Sequence, residues 1–243
     1  LDPVVLVAET QTAGRGRLGR AWASLPGDSL TFSLGLMLNP PAWSGLSLAV
    51  GVALAEALTQ LLHAQPPGQR PADPSRAVLG LKWPNDLWCD PGTGPHKLGG
   101  ILIETANPPT PDTATAGRYT VIGIGLNMRT PTGVDSTIPP LGLSDLDSSL
   151  QAPVLLGQVL PGLLRIVLDF NRHGFEPLLE RFNRRDFLRD QMIRLSDGRE
   201  GWARSVDAQG GLLVDLPEGR EVISSNEVSV RPRTWETALT GIR

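Results

Sequence analysis

The stretch KWPNDLW, residues 82–88, stands between two short apolar runs and is typical of a tight connection between two β-strands. Pro84 restricts Trp83 to an extended conformation, and the side chains of Asn85 and Asp86 can hydrogen-bond to nearby backbone groups. A turn of this stiffness holds its lysine, asparagine and aspartate side chains in fixed directions. By itself, the stretch fits equally well a structural turn whose tryptophan fills space in the core.

Strands are predicted on both sides of this turn. The runs rich in β-branched and large apolar residues that predict them are Val4–Ala8, Leu30–Leu38, Val78–Trp83, Leu87–Cys89, Leu98–Glu104 and Tyr119–Leu126. We expect the first of these strands to be buried. Two proline-rich segments, residues 64–75 and 107–117, are expected to form loops.

Three segments show helical patterns. Ser47–His63 has a wide apolar face and is expected to be buried in the core. Pro153–Asn171 is interrupted at Pro161, which predicts a kink or a break at that position. Glu176–Leu188 is amphipathic and is expected to form a further helix.

The pattern changes after Asp190. Five short alternating stretches, separated by turns that contain glycine, predict a small antiparallel barrel. These stretches are Met192–Leu195, Trp202–Val206, Leu212–Leu216, Glu221–Ile223 and Val228–Val230. We therefore predict an α/β domain over residues 1–189 and a compact all-β domain over residues 190–235.

Charge and composition disfavour several classes of protein. The 22 basic and 25 acidic residues give a formal net charge of −3, whereas a generic nucleic-acid-binding protein usually has a strong basic excess. The single cysteine, Cys89, rules out an intramolecular disulfide and is expected to be a small strand residue rather than a nucleophile. The three histidines lack the spacing of zinc ligands. No apolar run approaches about 18 residues, so we expect no membrane span and a cytoplasmic protein.

The loop Ala13–Arg20 concentrates positive charge. Arg15, Arg17 and Arg20 supply fork-shaped donors that suit a phosphate or a carboxylate, and no acidic residue lies between them. The three glycines of the loop allow positive φ angles and a close approach of the backbone to a ligand. We expect the loop to be mobile when empty and ordered when an anion is bound. A flexible basic loop or an arginine–glycine RNA-binding patch would have the same composition.

Two of the predicted strands also have features of a ligand site. Lys97 opens an apolar strand beside Gly99 and Gly100, which places a cation next to accessible backbone. In residues 121–128, VIGIGLNM, small residues alternate with large apolar ones, so one face is bare enough for a flat ligand. Asn127 supplies an amide at the end of this strand. For each strand, glycine that serves only the packing of the sheet is an equal alternative.

Taken in order, these four segments resemble the biotin–protein ligase family. The chain matches the family's Gly-Arg-Gly-Arg-x-Gly-Arg loop, Lys-Trp-Pro-Asn-Asp turn, Lys-x-x-Gly-Ile-Leu-x-Glu strand and Gly-x-Asn strand end, in order and in spacing. The resemblance covers nearly the whole chain. Four linked motifs are far more specific than any one of them.

The resemblance implies an α+β protein. A catalytic domain like that of the class II aminoacyl-tRNA synthetases, with a mixed sheet and helices, would precede a small SH3-like β-barrel. The implied enzyme joins biotin and ATP into biotinyl-5′-AMP and then transfers biotin to a lysine of a biotin carboxyl carrier protein, a subunit of acetyl-CoA carboxylase. Its implied cofactors are ATP and biotin as substrates, together with Mg²⁺, and the family also allows a homodimer.

The resemblance also implies roles for individual residues. The implied biotin-binding residues are Gln11, Gly14, Arg15, Gly16, Arg17, Lys97 and Gly100. The implied residues on the ATP or adenylate side are Arg20, Trp22, Lys82, Asn85, Asp86 and Asn127. Lys97, Arg15 and Arg17 would be catalytic, Trp22 would close over the adenine, and Asp86 would contact Mg²⁺ or its waters.

The chain departs from the family pattern at two places. Leu18 stands where many members carry arginine, so that position is not expected to be essential for the chemistry. The family's Asp-Ser-Thr-Asn motif, which lies upstream of the first strand and helps to bind the ureido group of biotin, is absent. Because a strand is already predicted at Val4, we expect the domain to begin upstream of Leu1. A helix-turn-helix domain upstream, as in repressor-type members, stays an open alternative.

Other functions compete with a biotin ligase. A lipoate–protein ligase or octanoyltransferase shares the superfamily fold, but the arginine-rich loop and the Lys-Trp-Pro-Asn-Asp turn favour biotin. A biotin-sensing transcriptional regulator would need a DNA-binding region, which neither a helix-turn-helix pattern nor the charge of −3 suggests here. An RNA-binding module would leave the other three motifs unexplained.

Overall fold

The computed structural model describes residues 2–22, 24–64, 77–107, 117–133, 138–224 and 230–232. Its larger sheet consists of β1 (Val4–Ala8), β2 (Ser29–Leu38), β3 (Val78–Lys82), β4 (Asp86–Asp90), β5 (His96–Ala106) and β6 (Arg118–Asn127). The order is β1-β2-β6-β5-β4-β3, and each neighbouring pair is antiparallel. The six strands predicted here are confirmed. Apart from their end residues, the two proline-rich segments predicted as loops lie outside the described residues.

Strand β1 forms one edge of this sheet and pairs with β2. The side chains of Val4, Leu6 and Val7 are 51%, 66% and 50% exposed. The expectation that this apolar strand is buried is therefore wrong for the described structure. Composition favours a strand, but its burial depends on which elements cover it in the tertiary structure.

Strand β2 lies between the edge strand β1 and β6, and its side chains alternate between the two faces of the sheet. Leu30, Phe32 and Leu34 are buried in the hydrophobic core. Since successive side chains of a strand point to opposite faces, Thr31 and Ser33 lie on the other face, where they line a cavity. The alternation in the sequence of β2 therefore distinguishes a core face from an open face.

The helices are α1 (Leu46–His63), α2 (Leu143–Leu146), α3 (Ala152–His173) and α4 (Leu179–Asn183). Helix α1 packs on β3, β4 and β5, and α3 packs on α1 and β2. Burying an amphipathic helix against a sheet removes apolar surface from water, which is the main source of stability in such a layered fold. Together, the two long helices and the sheet enclose the core.

Helices α1 and α3 are long and apolar enough, by length and composition alone, to cross a membrane. The expectation that no apolar run approaches that length is therefore wrong. Length and composition are weak grounds for a membrane span, however, because the core helix of a soluble protein passes the same test. Val50, Val52 and Leu54 of α1 are fully buried in the core.

Helix α3 continues through Pro161 without a break. The break that the sequence allowed there is not found. Leu155 and Val159 before the proline, and Leu163 and Val167 after it, are all buried in the same core. Their burial offsets the cost of a proline inside a helix, which is about 3 kcal/mol.

The helix predicted over Glu176–Leu188 is much shorter than expected. Residues 176–178 form a 3₁₀ turn and α4 ends at Asn183. The following residues run beside β3 instead: the N–H of Leu81 donates to the carbonyl of Arg185 (2.7 Å), and the N–H of Phe187 donates to the carbonyl of Leu81 (2.9 Å). Backbone groups that pair with the edge of a sheet are no longer available for a helix, so the prediction failed here.

The C-terminal strands form a second sheet. They are β7 (Met192–Leu195), β8 (Glu200–Val206), β9 (Leu212–Leu216), β10 (Gly219–Ile223) and β11 (Val230–Pro232). Their order is β10-β9-β8-β7-β11, and all pairs are antiparallel. The predicted α+β class and the small antiparallel C-terminal unit are confirmed. Most of the fifth predicted stretch, Val228–Val230, lies outside the described residues.

Cys89 lies in β4 and is buried. Burial raises the pKa of its thiol to about 12, because the charged thiolate is poorly solvated there. The thiol therefore stays protonated at neutral pH, which agrees with the prediction of a structural strand residue rather than a nucleophile.

Trp83 connects the turn at residues 82–88 to the C-terminal sheet. Its side chain is fully buried, and its indole Nε1 donates a hydrogen bond to the carbonyl of Gly210 at 3.1 Å. Gly210, in the turn between β8 and β9, has φ +82°, and a Cβ there would lie 2.8 Å from the Cα of Gly45. The tryptophan therefore fills core space and also joins two regions that are distant in sequence.

Replacing Trp83 by phenylalanine tests this connection. We expect Trp83→Phe to lower the free energy of unfolding by about 2–3 kcal/mol, because the carbonyl of Gly210 loses its partner while buried and part of the indole volume becomes a void. Urea denaturation measures the change. The matched control is Trp202→Phe, since Trp202 is 44% exposed, and we expect it to change stability by less than about 0.5 kcal/mol. Equal effects of the two substitutions would contradict the assignment.

Candidate active site

A cavity of about 820 Å³ lies over the open face of the larger sheet. Strand register places Thr31, Gly125 and Gly100 in one row across β2, β6 and β5, and Ser33 and Gly123 meet in the next row. All five residues line the cavity. Because these side chains are small or absent, the floor leaves room for a flat ligand against the backbone, as the sequence of β6 predicted.

The arginine-rich loop covers this floor as a small hairpin. The N–H of Gly16 donates to the carbonyl of Arg20 (2.7 Å), and the N–H of Trp22 donates to the carbonyl of Gly14 (2.9 Å). A single 3₁₀ turn, Arg17–Gly19, closes the hairpin. The backbone bonds give the loop a defined shape that directs its arginine side chains toward the cavity, which Arg15, Arg17 and Arg20 all line.

The three glycines of the hairpin serve different purposes. A Cβ at Gly14 would lie 2.4 Å from the carbonyl oxygen of Trp22, so the close approach of the two arms requires glycine there. Gly19 has φ +71°, a conformation that favours glycine. A Cβ at Gly16 would meet its nearest neighbour at an ordinary 3.5 Å. Leu18 has φ +57° and is 69% exposed at the tip of the hairpin.

The indole of Trp22 rests on β6. A Cβ at Gly125 would lie 2.4 Å from Cζ2 of this indole, so the ring sits where a side chain of β6 would otherwise stand. The Nε1 of Trp22 is buried and has no hydrogen-bond partner within the described parts of the chain. The absence of a side chain at Gly125 therefore allows the indole of Trp22 to pack against β6 and form an aromatic wall of the cavity.

The turn at residues 82–88 is fixed to the neighbouring strand and to the hairpin. Asn85 and Ile101 of β5 exchange two hydrogen bonds of 2.9 Å: the N–H of Ile101 donates to the carbonyl of Asn85, and Nδ2 of Asn85 donates to the carbonyl of Ile101. Nη1 of Arg17 donates to Oδ1 of Asn85 at 3.3 Å. The amide of Asn85 therefore joins three parts of the site.

Lys97 and Asp86 form an ion pair at the cavity, with Nζ to Oδ1 at 2.7 Å. A Cβ at Gly100 would lie 3.6 Å from this oxygen and 3.8 Å from Nζ of Lys97, so Gly100 marks an open position beside the pair. An anionic ligand at this position would meet a lysine whose present partner is a single carboxylate. A cation in this position can reduce the repulsion between two anionic groups that must approach each other to react.

Two family models match the chain. Residues 2–127 match the biotin/lipoate A/B protein ligase family, and residues 192–231 match the biotin protein ligase C-terminal domain. A biotin–[acetyl-CoA-carboxylase] ligase of Mycobacterium tuberculosis is 33% identical over 238 residues, which cover 94% of this chain and 79% of that protein. The chain belongs to the biotin–protein ligase family.

Further members of the biotin–protein ligase family are similar to this chain. The bifunctional ligase/repressor BirA of Escherichia coli is 33% identical over 93% of this chain, which spans 65% of the length of that protein. The solved structure of a biotin protein ligase from Aquifex aeolicus, in complex with biotin and ATP, has a TM-score of 0.71 at 25% identity and covers 94% of this chain and 88% of that chain. The similarity therefore extends over both sheets.

The residues that the biotin–protein ligase resemblance singled out come together in the structure, with one exception. Those that line the cavity are Gln11, Arg15, Gly16, Arg17, Arg20, Trp22, Lys82, Asn85, Asp86, Lys97, Gly100 and Asn127. Gly14 lies in the arm of the hairpin behind them and acts through its backbone bond to Trp22. Within the described residues, two acidic side chains, Asp86 and Glu104, line the cavity beside five basic ones.

Several cavity residues were not predicted from the sequence. Thr31 and Ser33 were not singled out, although the alternation of small polar and large apolar residues in β2 marks them as one face. Glu104 was quoted only as the end of a motif. Ile138 and Pro140 carry no local signal, because they reach the cavity only through the pairing of residues 139–141 with Lys97.

The pKa of Lys82 is shifted by its surroundings in the cavity. Burial, together with the nearby cations Lys97, Arg17 and Arg20, lowers the pKa of Lys82 to about 8, while Asp86 acts in the opposite direction. Burial also lowers the pKa of Arg17. A bound phosphate would reverse both effects, since an anion stabilises the charged form of its neighbours.

We therefore expect ATP to bind more weakly as the pH rises above about 8. Free Lys82 loses its proton through this range, whereas the bound anion requires the charged form, so the affinity falls by up to about tenfold per pH unit until the pKa of the complex is reached. Calorimetric titration between about pH 7 and pH 10 measures the change. Lys82→Arg keeps its charge over this range, so the loss of ATP affinity that comes from deprotonation of Lys82 should disappear in this variant. Identical pH profiles of the two proteins would show that Lys82 is not the group responsible.

Proposed function

We propose that this protein is an ATP-dependent biotin–protein ligase. It forms biotinyl-5′-AMP from biotin and ATP and then transfers biotin to a lysine of a biotin carboxyl carrier protein. The observation that carries the proposal is the convergence of the arginine hairpin, Lys82 and Lys97 on one cavity with a bare floor, in a chain that belongs to this family. Such a site suits a reaction in which a carboxylate must approach a phosphate.

The first step joins two anions. An oxygen of the biotin carboxylate forms a bond to the α-phosphorus of ATP, the bond from that phosphorus to the bridging oxygen breaks, and pyrophosphate leaves. Charge repulsion is the main barrier to this approach, and fixed cations lower it more effectively than mobile solvent does. We assign Arg15, Arg17 and Lys97 to this junction as catalytic residues.

The two substrates occupy opposite sides of the junction in this proposal. Biotin contacts the set Gln11, Gly14, Arg15, Gly16, Arg17, Lys97 and Gly100. The nucleotide contacts the set Arg20, Trp22, Lys82, Asn85, Asp86 and Asn127, with the indole of Trp22 against the adenine. The seat of Trp22 on Gly125 and the lowered pKa of Lys82 support this division, because the first offers an aromatic surface and the second a cation that gains from an anion.

The donor set fits Mg²⁺ that is bound mainly through the nucleotide. Among the described residues, no group of three or more His, Cys, Asp or Glu side chains could hold a metal ion. Asp86 offers one carboxylate at the cavity, and Mg²⁺ commonly uses one or two carboxylates together with phosphates and waters. When bound, the ion would neutralise phosphate charge, and Asp86 is the residue that we expect to contact it or its waters.

The second step needs an accessible mixed anhydride. The amine of the carrier lysine attacks the acyl carbon, AMP leaves with the electrons of the acyl–oxygen bond, and the amine gives up its proton to form the amide. The protein partner is therefore a biotin carboxyl carrier protein, as in acetyl-CoA carboxylase. The cavity is open to solvent along the hairpin, where Arg15 and Arg20 are exposed, which leaves a path for that lysine.

Several wider assignments belong to the same proposal. We propose a catalytic domain over residues 1–189 and an SH3-like domain over residues 190–235, supported by the start of β7 at Met192 and by the C-terminal family match. The protein is soluble, and we place it in the cytoplasm. A homodimer is supported by the exposed apolar strand β1, which pairs on one side only among the residues that the structure describes.

The rival functions fit less well. The relatives reported above are biotin ligases rather than lipoate ligases, which agrees with the two motifs that favoured biotin. Similarity to a bifunctional ligase/repressor makes biotin-dependent regulation compatible with the family, as an activity in addition to the ligase rather than instead of it.

The proposal predicts exchange of labelled pyrophosphate into ATP that depends on biotin. Reversal of the first step incorporates the label only if biotinyl-5′-AMP forms in the site. The assay contains protein, ATP, Mg²⁺ and labelled pyrophosphate, with and without biotin. No biotin-dependent exchange, or exchange that lipoate supports equally well, would overturn the proposed function.

Removing the amine of Lys97 should slow adenylate formation strongly. We expect Lys97→Ala to reduce the single-turnover rate by about 10²- to 10³-fold, the usual scale for one preorganised charge donor. Arg172→Ala is the matched control, because Arg172 is an exposed cation on α3 whose ion pair with Asp169 lies outside the site. An unchanged rate in Lys97→Ala would remove Lys97 from the catalytic residues.

A further inference from the structure

A polar cluster lies where the chain passes from the larger sheet to the C-terminal sheet. Residues 185–187 run beside β3, and Asp186 forms a parallel bridge with Leu81 at the centre of this pairing. A Cβ at Gly80 would lie 2.5 Å from a backbone oxygen of the segment, so the two backbones pack closely. Lys82, which lines the cavity, is the next residue of β3 after Leu81. The cluster is therefore adjacent to the cavity without being part of it.

The carboxyl group of Asp186 is only partly hydrogen-bonded. Its Oδ1 accepts a bond from the N–H of Leu188 at 2.9 Å. Although part of the residue is accessible, Oδ2 is buried and has no hydrogen-bond partner within the described parts of the chain. An oxygen that loses water without gaining a donor is costly, and more so when it is charged.

The hydroxyl of Ser205 reaches the same place from β8. Ser205 is 4% exposed and lies where the register of β8 shifts between Ala203 and Val206. Its φ is +76°, a left-handed conformation that is uncommon for residues other than glycine. A bulge of this kind redirects a side chain, and here it directs a hydroxyl toward the segment that leads into the C-terminal sheet.

This one hydroxyl serves two acceptors. Ser205 donates to Oδ1 of Asn183, the last residue of α4, and it also acts as a hydrogen-bond donor on the carboxyl group of Asp186. Because a hydroxyl has a single hydrogen, one acceptor lacks a donor while Asp186 is ionised. A proton on Asp186 supplies the missing hydrogen, since the acid can donate to Ser205 while Ser205 donates to Asn183.

The surroundings of Asp186 favour its protonated form. Burial raises the pKa of Asp186 to about 6, and the charge of Asp190 acts in the same direction. The N–H of Leu188, the hydroxyl of Ser205 and the charge of Arg189 act in the opposite direction but do not offset burial.

The neighbouring charges do not compensate an ionised Asp186. Of the two charged side chains that shift its pKa, Arg189 is 56% exposed and lies 3.9 Å from the carboxylate of Asp190. Asp190 in turn pairs with Arg204 of β8 at 2.6 Å. The guanidinium of Arg185, in the same segment as Asp186, pairs with a glutamate of α1 at 3.7 Å.

We propose that Asp186 makes the contact between the C-terminal unit and β3 a proton-dependent joint. With a proton on the carboxyl group, the hydrogen bonds from Asp186 through Ser205 to Asn183 are complete and the joint is tight. Without it, a buried charge is left short of a donor and the pairing of residues 185–187 with Leu81 opens more readily. The joint lies outside the cavity, so the inference does not rest on the proposed function.

Linkage gives the direction of the pH dependence. The carboxyl group has a pKa of about 6 in the closed joint and an ordinary value of about 4 when the joint is open. The closed joint therefore binds more protons: its extra stability is complete below about pH 4 and is lost as the pH rises through about 6. At neutral pH the joint is in its loosened state.

Amide hydrogen exchange at Leu81 and Phe187 measures the opening, because their N–H groups close the pairing. After correction for the intrinsic pH dependence of exchange, we expect their protection to fall by about 10- to 100-fold between about pH 4.5 and pH 7. Asp186→Asn replaces the protonated acid by a neutral amide that can donate to Ser205. Its protection should not change over this range and should exceed that of the wild type by about 10- to 100-fold at pH 7.

Asp169→Asn is the matched control for the loss of a carboxylate. The Asp169 side chain is 54% exposed on α3, where it pairs with Arg172, so we expect the wild-type exchange profile. Parallel pH profiles in the wild type and Asp186→Asn would overturn the inference. So would protection in Asp186→Asn at pH 7 that is no higher than in the wild type.

Titration of the Asp186 carboxyl carbon by ¹³C NMR gives a second test that needs no substitution at Asp186. We expect a midpoint near pH 6 in the wild type and a higher one in Ser205→Ala, because the hydroxyl of Ser205 lowers the pKa of Asp186. A wild-type midpoint near the ordinary value of about 4, or one that Ser205→Ala does not shift, would overturn the inference. Neither measurement involves biotin or ATP, so both decide the joint even if biotin-dependent pyrophosphate exchange is not found.

Discussion

The register of β2, β6 and β5 is the constraint on which the site depends. It aligns Thr31, Gly125 and Gly100 on the open face of the sheet, where the lack of large side chains creates the cavity floor. The indole of Trp22 occupies part of this space, since a Cβ at Gly125 would lie 2.4 Å from it. A slip of one residue would exchange the open and core faces of a strand. The floor, the aromatic wall and the position of Lys97 would then be lost together.

Positive charge is the second feature of the site, and the fold distributes it over separate elements. The hairpin contributes arginines, the end of β3 contributes Lys82, and the start of β5 contributes Lys97. Among the described residues, the ion pair with Asp86 is the one salt bridge to a cavity lysine. The lowered pKa of Lys82 reflects first its burial and then repulsion by the neighbouring cations Lys97, Arg17 and Arg20. Binding of a nucleotide would turn that repulsion into attraction, which couples substrate binding to the charge state of the site.

The turn at residues 82–88 contacts both the cavity and the C-terminal unit. Its Asn85 and Asp86 reach the cavity, whereas the neighbouring Trp83 is buried and bonds to Gly210 of the C-terminal sheet. Residues 185–187 form backbone hydrogen bonds with Leu81 of β3, the strand that precedes this turn. The C-terminal unit therefore packs against the segment that carries three of the proposed nucleotide contacts, and the rigidity of that segment depends on long-range packing as well as on its proline.

The sequence by itself determined the chemical groups of the site, the strands and helices that carry them, and the family. Four linked motifs sufficed for this, because each specifies residue types at fixed local spacing. The tertiary structure decided what each group touches: β1 is an exposed edge, α3 passes through Pro161, Arg185 and Phe187 pair with Leu81, and Asn127 binds the backbone of Lys97. These outcomes depend on strand register and on contacts between residues far apart in the chain. Local residue patterns contain no information about such partners, so they could not be predicted from the sequence.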